Sequence, residues 1–350
     1  MAGLMAYCRA GFESDLALEL QDKAASRQIY GFARTQGGSG HVLFECYQEH
    51  DATRLSSLLP LSDLVFARQQ FACLAKLDHL EGQDRISPIV EACEAFPLCG
   101  ELRVEYPDTT EGRELSRFCR KFSVPLRQAL RKQGLLTAKE QANRPVLFAF
   151  FTDSRNVCLG VADPQNVSPH PLGIMRLRTP ADAPSRSSLK LDEAIQTFLS
   201  PTEQEKRLQS GMQAVDLGAC PGGWTYQLVR RGLFVQAVDN GAMAESLMET
   251  GQVRHFAEDG FKFRPKKKHV HWLVCDMVEQ PAKVARLMAD WLREGWCQEA
   301  IFNLKLPMKK RYECLQQALQ VIEEHMAGRP YQLQARHLYH DREEITLHLR

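Results

Sequence analysis

From residue 213 onward the chain alternates short, nearly unbroken apolar runs with longer stretches in which apolar residues return every three or four positions. The runs fall at 214–217, 234–238, 270–275 and 300–304, and their lack of in–out alternation marks strands covered on both faces. Helical periodicity lies beside them at 188–199, 225–231, 243–250, 281–293 and 312–326. Strand and helix in alternation predict an α/β domain, an open parallel sheet with helices on both sides. Two further runs, 331–339 and 345–349, are separated only by the turn His340-Asp341-Arg342. That turn is too short for a helical crossover, so the last strand is expected to be antiparallel.

The first half follows a different pattern. A short strand at 6–8, an amphipathic helix at 12–25, a strand at 41–46 and an apolar segment at 64–71 come first. A strand at 102–106, a basic helix at 115–121, a second helix at 124–134 and a strand at 144–151 follow, an α+β arrangement. Between the halves, residues 163–186 carry Pro164, Pro169, Pro171, Pro180 and Pro184 without apolar periodicity and read as a linker.

The 350 residues are enough for two domains with buried cores. No apolar run approaches the ~20 residues of a membrane span. The start, Met1-Ala2-Gly3-Leu4-Met5, lacks the basic and then long apolar pattern of an export signal. The 11 cysteines include no C-x-x-C pair, which argues for reduced thiols in the cytoplasm and against a disulfide framework or a zinc site. His269 and His271 alternate along a strand with no further ligands at metal-binding spacing, so no metal is expected.

The net charge of +1 conceals a local concentration of bases. From 113 to 144, Arg113, Arg117, Arg120, Lys121, Arg127, Arg131, Lys132, Lys139 and Arg144 face only Glu114 and Glu140. Arg117, Arg120 and Lys121 share one helix face, a stripe suited to a phosphate backbone. Smaller clusters occur at 262–268 and at Lys309, Lys310 and Arg311, the last in the loop after Lys305. These features point to an RNA partner and no membrane; a monomer is expected.

The candidate chemistry centres on Asp216-Leu217-Gly218-Ala219-Cys220-Pro221-Gly222-Gly223-Trp224, where an apolar run enters a glycine-rich turn that opens a helix. Glycines there let the backbone approach a ligand closely. The spacing is not the G-x-G-x-x-G of a dinucleotide site, so a cofactor without pyrophosphate fits better, and S-adenosylmethionine is such a cofactor. The next run ends in Asp239, placed to accept from ribose hydroxyls, and the later ones end in Asp276 and Lys305. In a parallel sheet these ends share one edge with Asp216. Methyl transfer to a hydroxyl needs a base, and a lysine can serve when neutral. Lys190 is a candidate second cation.

The glycine motif, with Ser185-Arg186-Ser187-Ser188-Leu189-Lys190 before it and Cys275-Asp276-Met277, Asn303-Leu304-Lys305-Leu306-Pro307 and Arg342-Glu343-Glu344-Ile345-Thr346 after it, resembles the FtsJ/RrmJ-type ribose 2′-O-methyltransferases. It is more similar still to the bacterial RlmM group, over essentially the whole chain, including Phe32-Ala33-Arg34 and Phe118-Cys119-Arg120-Lys121-Phe122. The resemblance implies a Rossmann-like methyltransferase domain at 187–350, after a ferredoxin-like segment at 1–60 and a THUMP RNA-binding domain at 61–162. It implies transfer of a methyl group to a cytidine ribose of 23S rRNA, free or in a pre-ribosomal particle. It implies the tetrad Lys190, Asp276, Lys305 and Glu344, with Lys305 as base. Cofactor contacts are implied at Ser187, Cys220, Pro221, Gly222, Gly223, Asp239, Asp259 and Asp276. Glu343 and Glu344 point to opposite faces of a strand, and the following Ile345-Thr346 aligns Glu344 with the family's glutamate.

Other readings fit less well. Transfer to a base amine goes with an Asp/Asn-Pro-Pro-aromatic loop, and here that position reads Asp276-Met277-Val278-Glu279. Carbon methylation of cytosine needs a thiol, for which Cys220 and Cys275 have simpler roles in the turn and the strand. An NAD-dependent oxidoreductase lacks its fingerprint. A non-catalytic RNA-binding assembly factor is the alternative outside enzymes, and the complete tetrad speaks against it.

Overall fold

The computed structural model describes residues 2–80, 82, 84–266 and 269–350, which divide into two compact units at Ile174 and Met175. In the first unit, β1 (Gly3–Tyr7), α1 (Glu13–Ala25), β2 (Gly31–Thr35), β3 (His41–Cys46), α2 (Asp51–Leu58) and β4 (Gln69–Leu77) come first. Then follow α3 (Ile86–Ala92), β5 (Glu101–Glu105), α4 (Thr110–Lys132), β6 (Val146–Phe151) and β7 (Val157–Ala162). All seven strands form one sheet in the order β2-β3-β1-β4-β7-β6-β5. Only β5 and β6 pair in parallel. β4 carries the joint, bonded to β1 on one side and to β7 on the other.

The two helices expected at 115–121 and 124–134 are one continuous helix, α4, with Pro125 inside it. An interior proline costs about 3 kcal/mol. Cys119, Leu126 and Leu130 nevertheless lie on one face and are wholly buried against Leu147, Ala149 and Phe151 of β6. Burial of those side chains on both sides of the proline outweighs the one lost backbone bond. Thr109 caps the helix by accepting from Gly112 N at 2.9 Å. The 64–71 segment is strand only from Gln69.

In the second unit, α5 (Ser188–Phe198), α6 (Pro201–Arg207), β8 (Gln213–Leu217), α7 (Gly223–Val229), β9 (Phe234–Val238), α8 (Glu245–Met248) and β10 (Val253–Phe256) are followed by β11 (Val270–Cys275) and α9 (Pro281–Arg293). β12 (Cys297–Lys305), α10 (Arg311–Met326), β13 (Leu333–Arg336) and β14 (Glu344–Leu349) complete it. The sheet order is β10-β9-β8-β11-β12-β14-β13. β8 to β12 are parallel, and β14 runs antiparallel to both neighbours, as the short turn before it predicts. The chain leaves β8 toward β9 and β10, then crosses back to β11, so the order reverses between β8 and β11. Open α/β sheets bind ligands at the carboxyl side of such a reversal.

Lys267 and Lys268 of the 262–268 cluster lie outside the described residues. Among the described residues, no helix is long and apolar enough to cross a membrane, and no group of three or more His, Cys, Asp or Glu could hold a metal ion.

Candidate active site

At the reversal, β8 passes into a turn whose shape only glycine tolerates. Gly218 has φ +78°, and a Cβ there would sit 2.6 Å from Met277 Cγ. Gly222 has φ +120°, with Leu247 Cδ1 where its Cβ would project. Such backbone is strained for any other residue. Ser187 lies against the start of α7, since a Cβ on Gly223 would collide with its hydroxyl. Asp239, just past β9, braces the turn: its carboxylate accepts from Cys220 N at 3.0 Å and from Gly241 N at 2.8 Å. Each oxygen keeps a second lone pair for a ligand hydroxyl. Cys220 is exposed and its thiol donates to Ala242 O at 3.0 Å. Partial burial and then Asp239 raise its pKa, which leaves it a poor nucleophile.

Asp216 is buried under this turn and accepts from Thr225 Oγ1 of α7 at 2.7 Å. Burial pushes its pKa to about 7, Thr225 pulls against that, and the charges of Asp276 and Asp239 add to it. Asp259 is exposed and holds its own loop by accepting from Phe261 N at 2.9 Å. The neighbouring Gly260 packs on Met277, which ties that loop to the turn.

Four charged side chains converge beside the turn. Asp276, immediately after β11, accepts on Oδ1 from Lys305 Nζ in close contact and on Oδ2 from Lys190 Nζ of α5 at 3.4 Å. Glu344 Oε1 touches Lys190 and lies 3.9 Å from Lys305 Nζ. Register explains the last contact, because Lys305 stands directly opposite Glu344 across β12 and β14. Burial works against the charged form of Lys190, but Asp276 and Glu344 prevail and raise its pKa. Glu343 turns the other way, to Arg311, whose guanidinium donates to it at 2.8 Å. Arg311 is thus held in an ion pair at the start of α10, whereas Lys309 and Lys310 are exposed.

On α4, Arg113, Arg117, Arg120, Lys121 and Lys132 are exposed, although Arg113 comes within 3.7 Å of Asp108. Arg127 is half-buried, and Arg131 is turned back to donate to Thr137 O at 3.0 Å.

Sequence reasoning gave no role to Asn303, which donates to Asp276 Oδ1 at 3.1 Å from inside β12, or to Thr225. The available signal was an amide flanked by Phe302 and Leu304 in a run that is otherwise apolar. It also passed over Val278 and Met308, 88% and 74% exposed, on the loops that follow Asp276 and Lys305.

Three family models match the chain. One described as the RlmM ferredoxin-like domain covers residues 1–71, and one described as ribosomal RNA large subunit methyltransferase M, N-terminal, covers 84–163. The third, FtsJ-like methyltransferase, covers 183–305. The ribosomal RNA large subunit methyltransferase M of Pseudoalteromonas atlantica is 59% identical over 354 residues, covering 100% of this chain and 99% of that protein. That of Tolumonas auensis is 58% identical over 351 residues, covering 100% and 96%. Among solved structures, TrmN from Thermus thermophilus aligns with 100% of this chain and 99% of that one, at 16% identity and a TM-score of 0.36, too low to bear on the site.

Proposed function

Because the chain belongs to the ribosomal RNA large subunit methyltransferase M family, and is therefore an rRNA methyltransferase, we propose that it methylates the ribose 2′-hydroxyl of a cytidine in 23S rRNA from S-adenosylmethionine, with Lys305 as base. The observation that carries this reading is the convergence of Lys190, Lys305 and Glu344 on one carboxylate, Asp276, beside the glycine turn.

The residues present suit the cofactor. At Gly218 and Gly222 the backbone has positive φ and no side chain, so bare backbone lines the turn where a ligand would approach, and Asp239 keeps acceptor capacity at the end of β9. Ser187, Cys220, Pro221, Gly222, Gly223, Asp239, Asp259 and Asp276 would hold it. When bound, S-adenosylmethionine supplies a methyl group made electrophilic by a sulfonium. Lys305 Nζ takes the proton of the attacking hydroxyl, so it must arrive neutral. It is the more exposed of the two amines, at 22% against 16%, and so the better placed to exchange a proton with solvent. Lys190, held charged, balances Asp276 and Glu344 and keeps both carboxylates in place. Asp276 holds the two amines apart on its two oxygens.

The exposed bases of α4 would guide RNA, with Lys309 and Lys310 at the mouth of the site. We read 61–162 as the THUMP RNA-binding domain after a ferredoxin-like segment at 1–60, with 163–186 as the linker to the methyltransferase domain. Val278 and Met308 are exposed apolar side chains in the loops that directly follow Asp276 and Lys305, and we read them as the surface on which the base attached to the target ribose packs. The working form is a cytoplasmic monomer acting on rRNA or a pre-ribosomal particle.

The test uses 23S rRNA from a strain lacking the protein, treated with the full chain and labelled cofactor, and read by nucleoside mass spectrometry. The expected product is 2′-O-methylcytidine. Lys305→Ala should abolish it while calorimetry still shows cofactor binding. Full activity in that variant rules out Lys305 as base, and a wild-type chain that binds no S-adenosylmethionine overturns the reading.

A further inference from the structure

Behind the tetrad lies a second row of buried polar groups. Lys305 and Glu344 face each other across β12 and β14, and two residues away on the same strands Asn303 faces Thr346. Successive cross-strand pairs spaced by two residues share one face of a sheet. Asn303 and Thr346 are both 0% exposed. Asn303 Nδ2 donates to Asp276 Oδ1 at 3.1 Å, and Asn303 Oδ1 accepts from Thr346 Oγ1 at 2.7 Å. The reverse placement of the amide would set its oxygen 3.1 Å from a carboxylate oxygen with no hydrogen between them.

Thr346 Oγ1 is also 2.8 Å from Asp341 Oδ2, which accepts from Leu338 N at 3.1 Å. A hydroxyl has one hydrogen, and here Asn303 Oδ1 receives it. The hydrogen in the contact with Asp341 must then come from Asp341, as a neutral acid. Asp341 is wholly buried, and its surroundings agree. Burial raises its pKa far above the ordinary carboxylate range, and the charge of Glu344 adds to this. The hydrogen bond from Leu338 N works the other way, and Glu193 contributes a smaller rise.

We propose that Thr346, backed by Asp341, is a positioning residue for methyl transfer: its hydroxyl fixes the Asn303 amide with its nitrogen toward Asp276, which aims Asp276 Oδ1 at Lys305. The inference rests on the ribose-methylation reading. Without the hydroxyl, Asn303 Oδ1 loses this buried donor and the amide is held firmly only at its nitrogen end, so it can tilt away from Asp276 and the contact between Asp276 and Lys305 loses its direction. No part of this row touches substrate, so binding should survive while turnover falls.

The test compares the full-length wild type with Thr346→Val, which keeps the branched shape that β14 favours but lacks the hydroxyl, and with Thr346→Ser, which keeps the hydroxyl. Labelled methyl transfer to 23S rRNA gives kcat and KM, and calorimetry gives cofactor affinity. Thr346→Val should lower kcat about tenfold or more, as loss of a supporting hydrogen bond behind an active site commonly does. KM for RNA and cofactor affinity should stay within about twofold, and Thr346→Ser should restore most of kcat. If Thr346→Val does not fold, Thr346→Ala against Thr346→Ser isolates the same hydroxyl. Wild-type kcat in the variants without the hydroxyl, or a serine variant as slow as they are, overturns the proposal. A wild-type product methylated on a base instead of a ribose overturns the reading beneath it, and needs no variant to be seen.

Discussion

Replacing Asp216 with asparagine should make the second unit more stable in alkali and leave it almost unchanged in acid. Asp216 is 1% exposed and its pKa lies near 7, against an ordinary value of 3.8, chiefly because burial disfavours its charge. Well below 3.8 the group is protonated in both folded and unfolded chains and has no pH-dependent effect. Between 3.8 and about 7 the folded chain keeps a proton that the unfolded chain releases, so stability falls as pH rises. Each pH unit in that window is worth about 1.4 kcal/mol, and the whole window is on the order of 4 kcal/mol. Above pH 7 the loss is complete and flat. Asparagine cannot ionise, yet its amide oxygen still accepts from Thr225.

All four tryptophans, Trp224, Trp272, Trp291 and Trp296, lie after residue 175. Urea unfolding followed by tryptophan fluorescence therefore reports the second unit even in the full chain. With a urea slope of about 2 kcal/mol per M, the midpoint of Asp216→Asn should exceed that of wild type by up to about 2 M at pH 8. The difference should shrink steadily to near zero by pH 4. A difference of the same size at every pH would mean that Asp216 acts through its shape and bonds rather than its charge, and would refute the reasoning.

Reversing Arg117 and Lys121 to glutamate, both exposed on α4, should weaken RNA binding and reduce the slope of log K against log salt by about 1.5 to 2; an unchanged slope would return that face to plain solvated surface. Gly222→Ala must hold alanine at φ +120° against Leu247, at a cost of about 1–3 kcal/mol, so cofactor affinity measured by calorimetry should drop about tenfold or more. Val278→Asp combined with Met308→Asp should raise KM for RNA about tenfold without changing cofactor affinity, since covering an exposed Val or Met side chain is worth up to about 1.5–3 kcal/mol. Equal RNA KM values in that variant and the wild type would remove the two side chains from the substrate surface.

The central strands of the second unit, β8, β9, β11 and β12, were legible because they are mostly buried on both faces, whereas β10, Val253–Phe256, is largely half-exposed or exposed and went unread. β11, Val270–Cys275, is an unbroken apolar run that ends at a charged residue. β7, Val157–Ala162, is just as buried but went unread, for two local reasons. The loop before it has neither Gly nor Pro; the Asp153 side chain makes the turn by accepting from Arg155 N at 2.7 Å and Asn156 N at 3.0 Å. Within the strand, Gly160 looks like a breaker, yet a Cβ there would strike Ala72 O. β2, Gly31–Thr35, is an edge strand with little burial, so no apolar pattern marks it. At the site, the strand-end positions Asp239, Asp276 and Lys305 follow from the pattern alone. Lys190 does not, because it arrives from a helix 86 residues before Asp276, and only the likeness to a known motif singles it out.

The antiparallel last strand and the site are one feature. In a purely parallel sheet, the ligand-binding edge collects only residues at the carboxyl ends of strands, and there Leu349 or Arg350 would stand beside Lys305. Reversing β14 brings its first residue, Glu344, to that edge, directly opposite Lys305, and sets Thr346 opposite Asn303 behind it. A turn of a few residues after β13, in place of a crossover helix, is therefore what supplies both the fourth charge of the tetrad and the buried hydroxyl that supports it. Because side chains alternate along a strand, a one-residue slip of β14 would put Glu343 in place of Glu344 and face the apolar Ile345 to Asn303. The strong burial of Ile345 and Leu347 on the other face of β14 opposes such a slip, so the core under that strand fixes the chemistry on top of it.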